Sequence, residues 1–184
     1  MPAKTKVTKE MIIDAAFEIV RKLGTDNVNV RAVAEKLGCS TQPIMYHFAT
    51  IDDLKKAVYE KADKYHSQYL MQVNDNDSFP SIGYNYIKFA MEEPYLFRFL
   101  FQSNYFNGET IVGMIDSEEL LPVLLTMQNK IGGSIEEVKE VFLTIFLFVH
   151  GYASLIANNA LVYDEKQIKR QLENAYRGAI ATLK

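Results

Sequence analysis

Residues 27–48, NVNVRAVAEKLGCSTQPIMYHF, predict two short helices separated by a tight turn. Asn29 can cap the first helix by accepting a hydrogen bond from its free N–H groups, and Val33, Ala34 and Leu37 then recur at helical spacing. Gly38 falls just past the end of that helix, where the chain must reverse with a positive φ that glycine adopts without a steric penalty. The pattern therefore predicts a helix-turn-helix.

The second helix of this motif is expected over residues 41–48. Pro43 lies in its first turn, where no hydrogen-bonding N–H is missed, and Ile44 and Phe48 are four residues apart and point to the core. The side chains left on the outer face are those of Thr41, Gln42, Met45 and Tyr46. The start of such a helix is the part that meets base edges in the major groove of duplex DNA.

Helix signals on both sides support the motif. Thr8 can cap an upstream helix whose apolar residues recur at spacings of three and four until Gly24 stops it. Thr50 can cap a downstream helix, with Asp52 and Asp53 in the first turn, where the helix dipole favours negative charge. The predicted order is one supporting helix, the motif and a long connecting helix.

The segments AAFEIVRKLG, VRAVAEKLGCSTQPIMYHF and DDL, in this order, resemble the tetracycline-repressor (TetR) family of transcriptional regulators over roughly residues 8–70. The resemblance implies an all-helical homodimer with an amino-terminal DNA-binding domain and a divergent carboxy-terminal domain that binds a small effector and dimerises. MEEPYLFRFLF and FVHGYASLIA also resemble a carboxy-terminal variety in this family, in which a His-Gly pair lies on a long helix. A tryptophan often precedes that pair, and this chain contains none.

The rest of the chain predicts further helices and no strand. Helices are expected over 81–92, over 95–101 after the break at Glu93-Pro94, over 118–130 with Ser117 as cap and Pro122 near the first turn, from Ser134 to about Leu161, and from Asp164 to about Leu183. The pairs Ser134–Glu137 and Asp164–Gln167 have capping-box spacing, and the polar run NDNDS at 74–78 ends the connecting helix. The predicted fold class is all-α with about nine helices.

These elements predict two domains. A helix-turn-helix DNA-binding domain is expected over 1–50, and a helical effector-binding and dimerisation domain over 51–184, beginning with the connecting helix at 51–72. The single Cys39 excludes an internal disulfide and a cysteine metal cluster, and we expect no metal site and no cofactor. We expect no signal peptide and no apolar run of membrane length, which predicts a cytoplasmic protein without a membrane partner.

Basic residues are concentrated at the amino-terminal end. The net charge of −3 would disfavour nucleic-acid binding if it were evenly spread. However, residues 1–64 hold eleven Lys and Arg against nine acids, whereas the remainder holds nine against fourteen. The arm with Lys4, Lys6 and Lys9 either contacts phosphates beside the motif or is a disordered terminus.

The predicted DNA contacts lie on the two motif helices. Arg31, in the first turn of the first helix, can reach a phosphate or pair with guanine O6 and N7, and Gln42 can donate and accept at adenine N6 and N7. The resemblance places Tyr46 and His47 against the DNA backbone. The full set of candidates is Arg31, Thr41, Gln42, Pro43, Tyr46 and His47. The alternative for Arg31 is a solvated surface residue, and for Tyr46 and His47 it is packing under the motif.

Two residues depart from the family pattern. Met45 stands where the resemblance implies a tyrosine that touches the DNA backbone, and Ile51 stands where it implies a lysine. Each departure removes a phosphate partner. The sequence therefore leaves open a TetR-like scaffold with weak or lost DNA binding that acts as a small-molecule binding protein.

Aromatic residues are concentrated in the second part of the chain. Residues 65–184 hold 18 of the 22 Tyr and Phe, which predicts either a packed core or a mostly apolar ligand pocket. The candidate effector-binding residues are Tyr84, Tyr95, Phe99, Met114, Gln128, Phe146 and His150. A lone histidine among apolar residues is more often part of a core. Few ionic partners are available there, so a bound effector is expected to be hydrophobic or aromatic.

The last two predicted helices favour a homodimer through 134–161 and 165–183. The segment VFLTIFLFVHGYASLIANNAL is apolar nearly all round, and the final helix carries an amphipathic stripe, so both need cover. A second copy of the same two helices would supply that cover in a twofold dimer. A monomeric core is the alternative, and the resemblance favours the dimer.

The sequence thus predicts a DNA-binding transcriptional regulator, with duplex DNA and a small molecule as partners. A repressor that its effector releases from a palindromic operator is the favoured form, and activation stays open. We do not expect an enzyme, because the three histidines, His47, His66 and His150, are far apart and no Glu-x-x-His pair occurs.

Overall fold

A computed structural model describes residues 7–72, 79–105, 113, 115–118 and 120–183. Within these ranges the chain forms α-helices, a short 3-10 helix at Thr25–Asn27 and turns, and it contains no strand, which confirms the predicted all-α class. The helices are α1 (Lys9–Leu23), α2 (Val30–Leu37), α3 (Gln42–His47), α4 (Ile51–Leu70), α5 (Phe79–Glu92), α6 (Pro94–Phe101), α7 (Leu121–Ile131), α8 (Ile135–Ala157) and α9 (Glu165–Ile180). The predictions made for Lys4, Lys6, Met114 and the NDNDS segment lie outside the described residues.

Most helix starts follow the predicted capping residues. The Thr8 hydroxyl accepts a hydrogen bond from the Met11 N–H, and Asn29 Oδ1 accepts from Ala32 at 3.0 Å. Thr50 and Asp53 cap each other, since the Asp53 N–H donates to Thr50 Oγ1 and the Thr50 N–H donates to the Asp53 carboxylate. The same reciprocal arrangement begins α8 at Ser134 and Glu137, and Asp164 caps α9. Local sequence rules therefore fix these starts.

Two helix ends use the same backbone device. Gly38 has a φ of 62°, and the N–H groups of Gly38 and Cys39 donate to carbonyls of the last turn of α2. At the end of α8, Asn159 takes φ 57°, and the Ala160 N–H donates to the Leu155 carbonyl at 2.8 Å. Both are Schellman motifs, in which one left-handed residue satisfies the free carbonyls. The prediction that α8 reaches about Leu161 was wrong, because asparagine ends the helix earlier.

Two further predicted bounds were wrong. The helix expected over 118–130 begins only at Leu121, and Ser117 does not cap it. Pro122 has no N–H, so it fits the first turn of a helix but would interrupt one that began at 118. The final helix ends at Ile180 and does not continue to about Leu183.

The chain packs as two compact units. Unit 1 comprises Met1–Gln68 and Glu93–Phe106, and unit 2 comprises Tyr69–Glu92 and Asn107–Lys184. In unit 1, α1 packs against α2, α3 and α6. These units reflect packing, and the predicted functional division into 1–50 and 51–184 stays a prediction.

Unit 2 is built around α5, α8 and α9. Gly83 of α5 allows the close approach, because a Cβ atom there would lie 3.1 Å from Val149 Cγ1 and 3.4 Å from Leu172 Cδ2. The buried face of α8 is formed by Val138, Val141, Ile145, Val149, Ala153, Ile156 and Ala157.

Among the described helices, α8 is long and apolar enough to cross a membrane by length and composition alone. This corrects the expectation that the chain has no apolar run of that length. The core helix of a soluble protein passes the same test, and α8 contributes one face to the core of unit 2. Its outer face remains apolar, with Leu147 and Leu155 each 50% exposed.

Candidate nucleic-acid interface

The outer face of α3 exposes both apolar and polar side chains to solvent. Ile44 and Phe48 are 1% and 5% exposed and anchor the helix, whereas Met45 is 54% and Tyr46 is 84% exposed. Thr41 and Gln42, at the start of the helix, are also exposed, and Pro43 is half-buried in the first turn. An aromatic ring displayed to this extent contributes little to the core of unit 1, so its position favours an external contact.

Helix α2 supports α3 and carries the candidate Arg31. Ala34 is buried, and its small side chain lets α3 approach α2. Arg31 lies in the first turn of α2 and is exposed. The structure therefore presents Arg31 and the α3 side chains to solvent from adjacent helices of the motif.

His47 has a structural role that the sequence alone did not reveal. Its Nε2 atom lies 3.3 Å from the Val7 carbonyl oxygen, and because a carbonyl only accepts, Nε2 must carry the hydrogen. The ring is half-buried and meets Tyr46 edge-on at 5.2 Å between centroids. Lys9 lies 5.3 Å from the centre of the Phe48 ring. His47 thus fixes the chain that leads into α1 beside the recognition helix.

The segment after α3 carries one of the two departures from the family pattern. Ile51 is half-buried as the first residue of α4. The neighbouring Asp52 accepts a hydrogen bond from the Tyr105 hydroxyl at 2.7 Å and pairs with Lys56 at 3.0 Å. The Tyr105 hydrogen bond, followed by that of Lys56, lowers the pKa of Asp52. The start of α4 therefore carries a fixed negative charge next to an apolar residue.

The whole fold is similar to solved regulators of low sequence identity. A TetR-like transcriptional regulator from Rhodococcus sp. RHA1 matches with 15% identity and a TM-score of 0.63, over 94% of this chain and 95% of that one. A protein from Vibrio parahaemolyticus, named as a TetR-family transcriptional regulator, matches with 15% identity and a TM-score of 0.61. The match covers 95% of this chain and 97% of that one. The multidrug binding protein EbrR, complexed with imidazole, matches with 18% identity and a TM-score of 0.52, over 90% and 88%.

Sequence comparison identifies the motif itself. Residues 12–58 match the family described as bacterial regulatory proteins, tetR family. Residues 12–58 therefore form a tetR-family domain, and the fold of the whole chain is similar to that of TetR-family regulators. The matched residues contain all of α2 and α3, including the exposed face of α3. A search of curated proteins finds no significant match to the sequence.

Beyond the tetR-family domain, two of the candidate effector residues lie together in unit 2. The rings of Phe146 and His150 stack at 5.6 Å between centroids. His150 Nδ1 lies 2.9 Å from the hydroxyl of Tyr86, a residue that the sequence did not single out. Tyr86 is buried, and a buried tyrosine hydroxyl requires a polar partner. This requirement could have identified Tyr86 as the partner of His150. Burial lowers the pKa of His150.

Other candidates have local structural partners. The Tyr84 hydroxyl lies 2.6 Å from that of Tyr163, and Lys169 lies 4.7 Å from the centre of the Tyr84 ring. Burial, followed by the Tyr163 hydroxyl, raises the pKa of Tyr84. Gln128 donates to the Gly133 carbonyl at 3.0 Å, just beyond the end of its own helix. Their assignment to an effector site stays a prediction.

Tyr95 and Phe99 belong to unit 1, on α6, and not to the unit that contains the other described candidates. Phe99 is buried and meets Tyr59 and Tyr105 edge-on, each at 5.6 Å. The Arg98 guanidinium lies 4.8 Å from the centre of the Tyr95 ring. Phe99 thus belongs to the core of unit 1, and Tyr95 lies at the edge of that core. A role of either residue in effector binding stays a prediction.

Within the described ranges, no group of three or more His, Cys, Asp or Glu side chains lies close enough to hold a metal ion.

Proposed function

We propose that this TetR-family protein binds a palindromic operator as a homodimer and acts as a repressor that a small hydrophobic or aromatic effector releases. The observation that carries the proposal is the exposed face of α3, on which Gln42 and Tyr46 stand outside a helix anchored by buried Ile44 and Phe48. Side chains at the start of a recognition helix reach base edges, and glutamine pairs with adenine through two hydrogen bonds. The proposal assigns no enzymatic reaction.

The outer face of α8 supports the homodimer. Leu147 and Leu155 are exposed, and Gly151 lies one turn from each with open space around its Cβ position. A glycine inside a helix costs about 0.5–1 kcal/mol relative to alanine, so its presence requires a benefit elsewhere. Close packing of a second α8 against this face supplies one, and a twofold axis would bring the same residues together from both copies.

The aromatic group in unit 2 supports a hydrophobic or aromatic effector. The ring centroid of Phe146 lies 6.2 Å from those of Phe142 and Tyr86 and 5.6 Å from that of His150. Burial favours the neutral form of His150, so this group offers stacking faces and hydrogen bonds without a charge. EbrR, a multidrug binding protein of similar fold, is complexed with imidazole, which is itself a small aromatic molecule.

Release then follows from linkage. Two recognition helices of a dimer must lie about 34 Å apart to enter successive major grooves on one face of the duplex. An effector that binds better to a conformer with a different spacing of the recognition helices lowers the affinity for the operator. By linkage, operator DNA lowers the affinity for the effector by the same factor. Helix α4 is suited to carry this change, because it begins directly after the motif and its last two residues belong to unit 2.

A genomic pull-down followed by sequencing tests the proposal. We expect recovery of a palindromic site, and we expect Gln42→Ala to weaken binding to that duplex by about tenfold or more, corresponding to the loss of a two-bond base contact. Gln68→Ala is the matched control, because Gln68 is an exposed glutamine on α4 of the same unit. Equal affinities of the two variants would contradict the assignment of Gln42.

A second function is favoured by Met45 and Ile51. Neither side chain can bond a phosphate, so the motif holds fewer backbone contacts than the resemblance implies. If the pull-down recovers no site while the protein binds small aromatic molecules, the chain is a TetR-like small-molecule binding protein without operator function.

A further inference from the structure

Glu93 is a buried carboxylate at the start of α6, held by two residues of other helices. Its side chain is 9% exposed. Arg21 Nε of α1 lies 2.8 and 2.9 Å from the two carboxylate oxygens, and Arg21 Nη2 also donates to Glu93 Oε1. The Tyr65 hydroxyl of α4 lies 3.2 Å from both Arg21 Nη2 and Glu93 Oε1. A guanidinium that contacts both oxygens of a carboxylate forms the most directional of the common ion pairs.

Ring contacts restrict the movement of this group. The Arg21 guanidinium carbon lies 5.4 Å from the centre of the Tyr65 ring, and the Phe17 ring meets Tyr65 edge-on at 5.6 Å. The hydrogen bond with Glu93 raises the pKa of Arg21, so the guanidinium stays charged. The pair is buried on one side only, since the side chain of Glu93 is 9% and that of Arg21 is 36% exposed. Removing Arg21 would leave the buried Glu93 carboxylate without its guanidinium partner, which is costly.

The chain order gives Glu93 a special position. Unit 1 takes its helix-turn-helix from the first 68 residues, and it takes α6 from the later segment 93–106. Both ends of that segment continue into unit 2, since residue 92 precedes it and residue 107 follows it. Glu93 is therefore the first residue of unit 1 after the chain leaves α5.

The other end of the segment is hydrogen-bonded to α4 of unit 1. The Tyr59 hydroxyl donates to the Leu100 carbonyl at 3.1 Å, and the Tyr105 hydroxyl donates to Asp52 at 2.7 Å. Asp52 lies four residues after Phe48 of the motif. The two ends of the segment thus contact α1 and the start of α4, which flank the recognition helix in the sequence.

We propose that Arg21, Glu93 and Tyr65 form a positioning latch that couples unit 2 to the recognition helix through the segment 93–105. The latch rests on the proposed operator function, and it acts through α1, against which α2 and α3 pack. These residues do not lie on the exposed face of α3. Because coupling between two sites is reciprocal, operator binding at α3 should alter the dynamics of α5, which ends at Glu92.

The test compares the wild type with Glu93→Gln, Arg21→Gln and the double variant. Operator affinity is measured by fluorescence anisotropy with the duplex recovered by pull-down, and hydrogen exchange of the α5 amides is measured with and without that duplex. We expect Glu93→Gln to weaken operator binding by about fivefold or more and to abolish the response of α5 to DNA. The double variant should lose no more than either single variant, because both remove the same interaction.

The ion pair between Asp14 and Lys61 provides a matched control. It also joins α1 to α4, but its side chains are 62% and 39% exposed and neither lies in the segment 93–105. Asp14→Asn should change operator affinity by less than about twofold, as expected for an exposed pair, and should leave the α5 response intact. A pair that only stabilises unit 1 would alter unfolding without altering that response.

The outcomes separate the two proposals. If the wild type binds the duplex and Glu93→Gln retains the α5 response, the latch is overturned while the proposed function stands. If the wild type binds no duplex, both are overturned. Should Glu93→Gln fail to fold, Tyr65→Phe carries the same test, because it keeps the ring contacts with Phe17 and Arg21 and removes only the hydroxyl. Loss of the α5 response in Tyr65→Phe supports the latch, and its retention overturns it.

Discussion

The hydroxyl of Tyr86 and Nδ1 of His150 lie 2.9 Å apart and join α5 to α8 within unit 2. Tyr86 is 6% exposed, and the Phe146 ring covers one face of the imidazole. Burial lowers the pKa of His150 and raises that of Tyr86, so both groups are neutral near pH 7. Each thus satisfies a polar atom of the other inside an aromatic environment, where an unmet hydrogen bond is costly.

Tyr86→Phe should lower the free energy of unfolding. The substitution keeps the ring but removes the hydroxyl, so His150 loses this partner, and we expect a loss of about 1–2 kcal/mol. Urea unfolding followed by circular dichroism measures the change. Tyr152→Phe on α8 is the control, because its ring packs 5.7 Å from Phe148 and its hydroxyl has no hydrogen-bond partner among the described residues. Equal losses in the two variants would show that the Tyr86–His150 bond contributes nothing measurable.

His66 should make stability fall with decreasing pH. The imidazole is 7% exposed and meets the Phe101 ring edge-on at 5.2 Å, and burial lowers its pKa to about 4 from 6.5. Below pH 6.5 His66 is protonated in the unfolded chain but stays neutral in the folded chain until about pH 4. The contribution of His66 to the free energy of unfolding is therefore complete above pH 6.5 and is lost progressively down to about pH 4. The loss at this site is on the order of 3 kcal/mol.

The contribution of His66 is isolated by difference, because carboxylates also titrate in this range. The free energy of unfolding is measured at several pH values for the wild type and for His66→Gln, which cannot be protonated. We expect the wild type to lose more stability than the variant between pH 6.5 and 4. Parallel pH profiles for the two proteins would disprove the assignment.

Local rules explain why much of the fold could be predicted from the sequence. Thr8, Asn29 and Ser134 act on N–H groups three residues away, and Gly38 acts on the preceding turn. The errors arose where two local signals competed. Ser117 resembled a cap, but Pro122 delayed the helix, and the asparagine pair at 158–159 ended α8 with a left-handed residue.

The candidate effector residues were less predictable, because their partners are distant in sequence. Tyr86 is 64 residues from His150, and no local pattern links them. Gln128 was selected as a polar group in an apolar region, yet it bonds the turn after its own helix. Composition placed Tyr95 and Phe99 with the other aromatic candidates of residues 65–184, although α6 packs in unit 1 and the other described candidates lie in unit 2. Composition identifies an aromatic interior but not which side chains meet in it.

Substitutions of Gly151 test whether α8 packs against a second copy of itself. Within one chain a Cβ atom at this position meets nothing within 4 Å, so Gly151→Ala should stabilise the isolated fold by up to about 1 kcal/mol through helix propensity. Gly151→Gln places a longer polar side chain between Leu147 and Leu155, and it should raise the dimer dissociation constant at least tenfold. Urea unfolding measures the stability of Gly151→Ala. Sedimentation velocity over a range of concentrations measures the dimer dissociation constant of Gly151→Gln.

The control for this experiment is Asn129→Gln, at an exposed position of α7. It should leave the dissociation constant unchanged. A dimer that tolerates Gly151→Gln would exclude this face of α8 from the interface, and a monomeric wild type would contradict the homodimer altogether.

Ile51→Lys should make operator binding more sensitive to salt. Ile51 begins α4 directly after the motif, and a lysine there can bond a phosphate that the isoleucine cannot. Each phosphate contact releases counterions from DNA, so the slope of log affinity against log salt should steepen by about 0.9. Ile51→Gln tests whether the change of shape alone matters, and it should keep the wild-type slope. Because this slope counts phosphate contacts and not total affinity, equal slopes for wild type and Ile51→Lys would mean that position 51 does not face the DNA backbone, even if the two affinities differ.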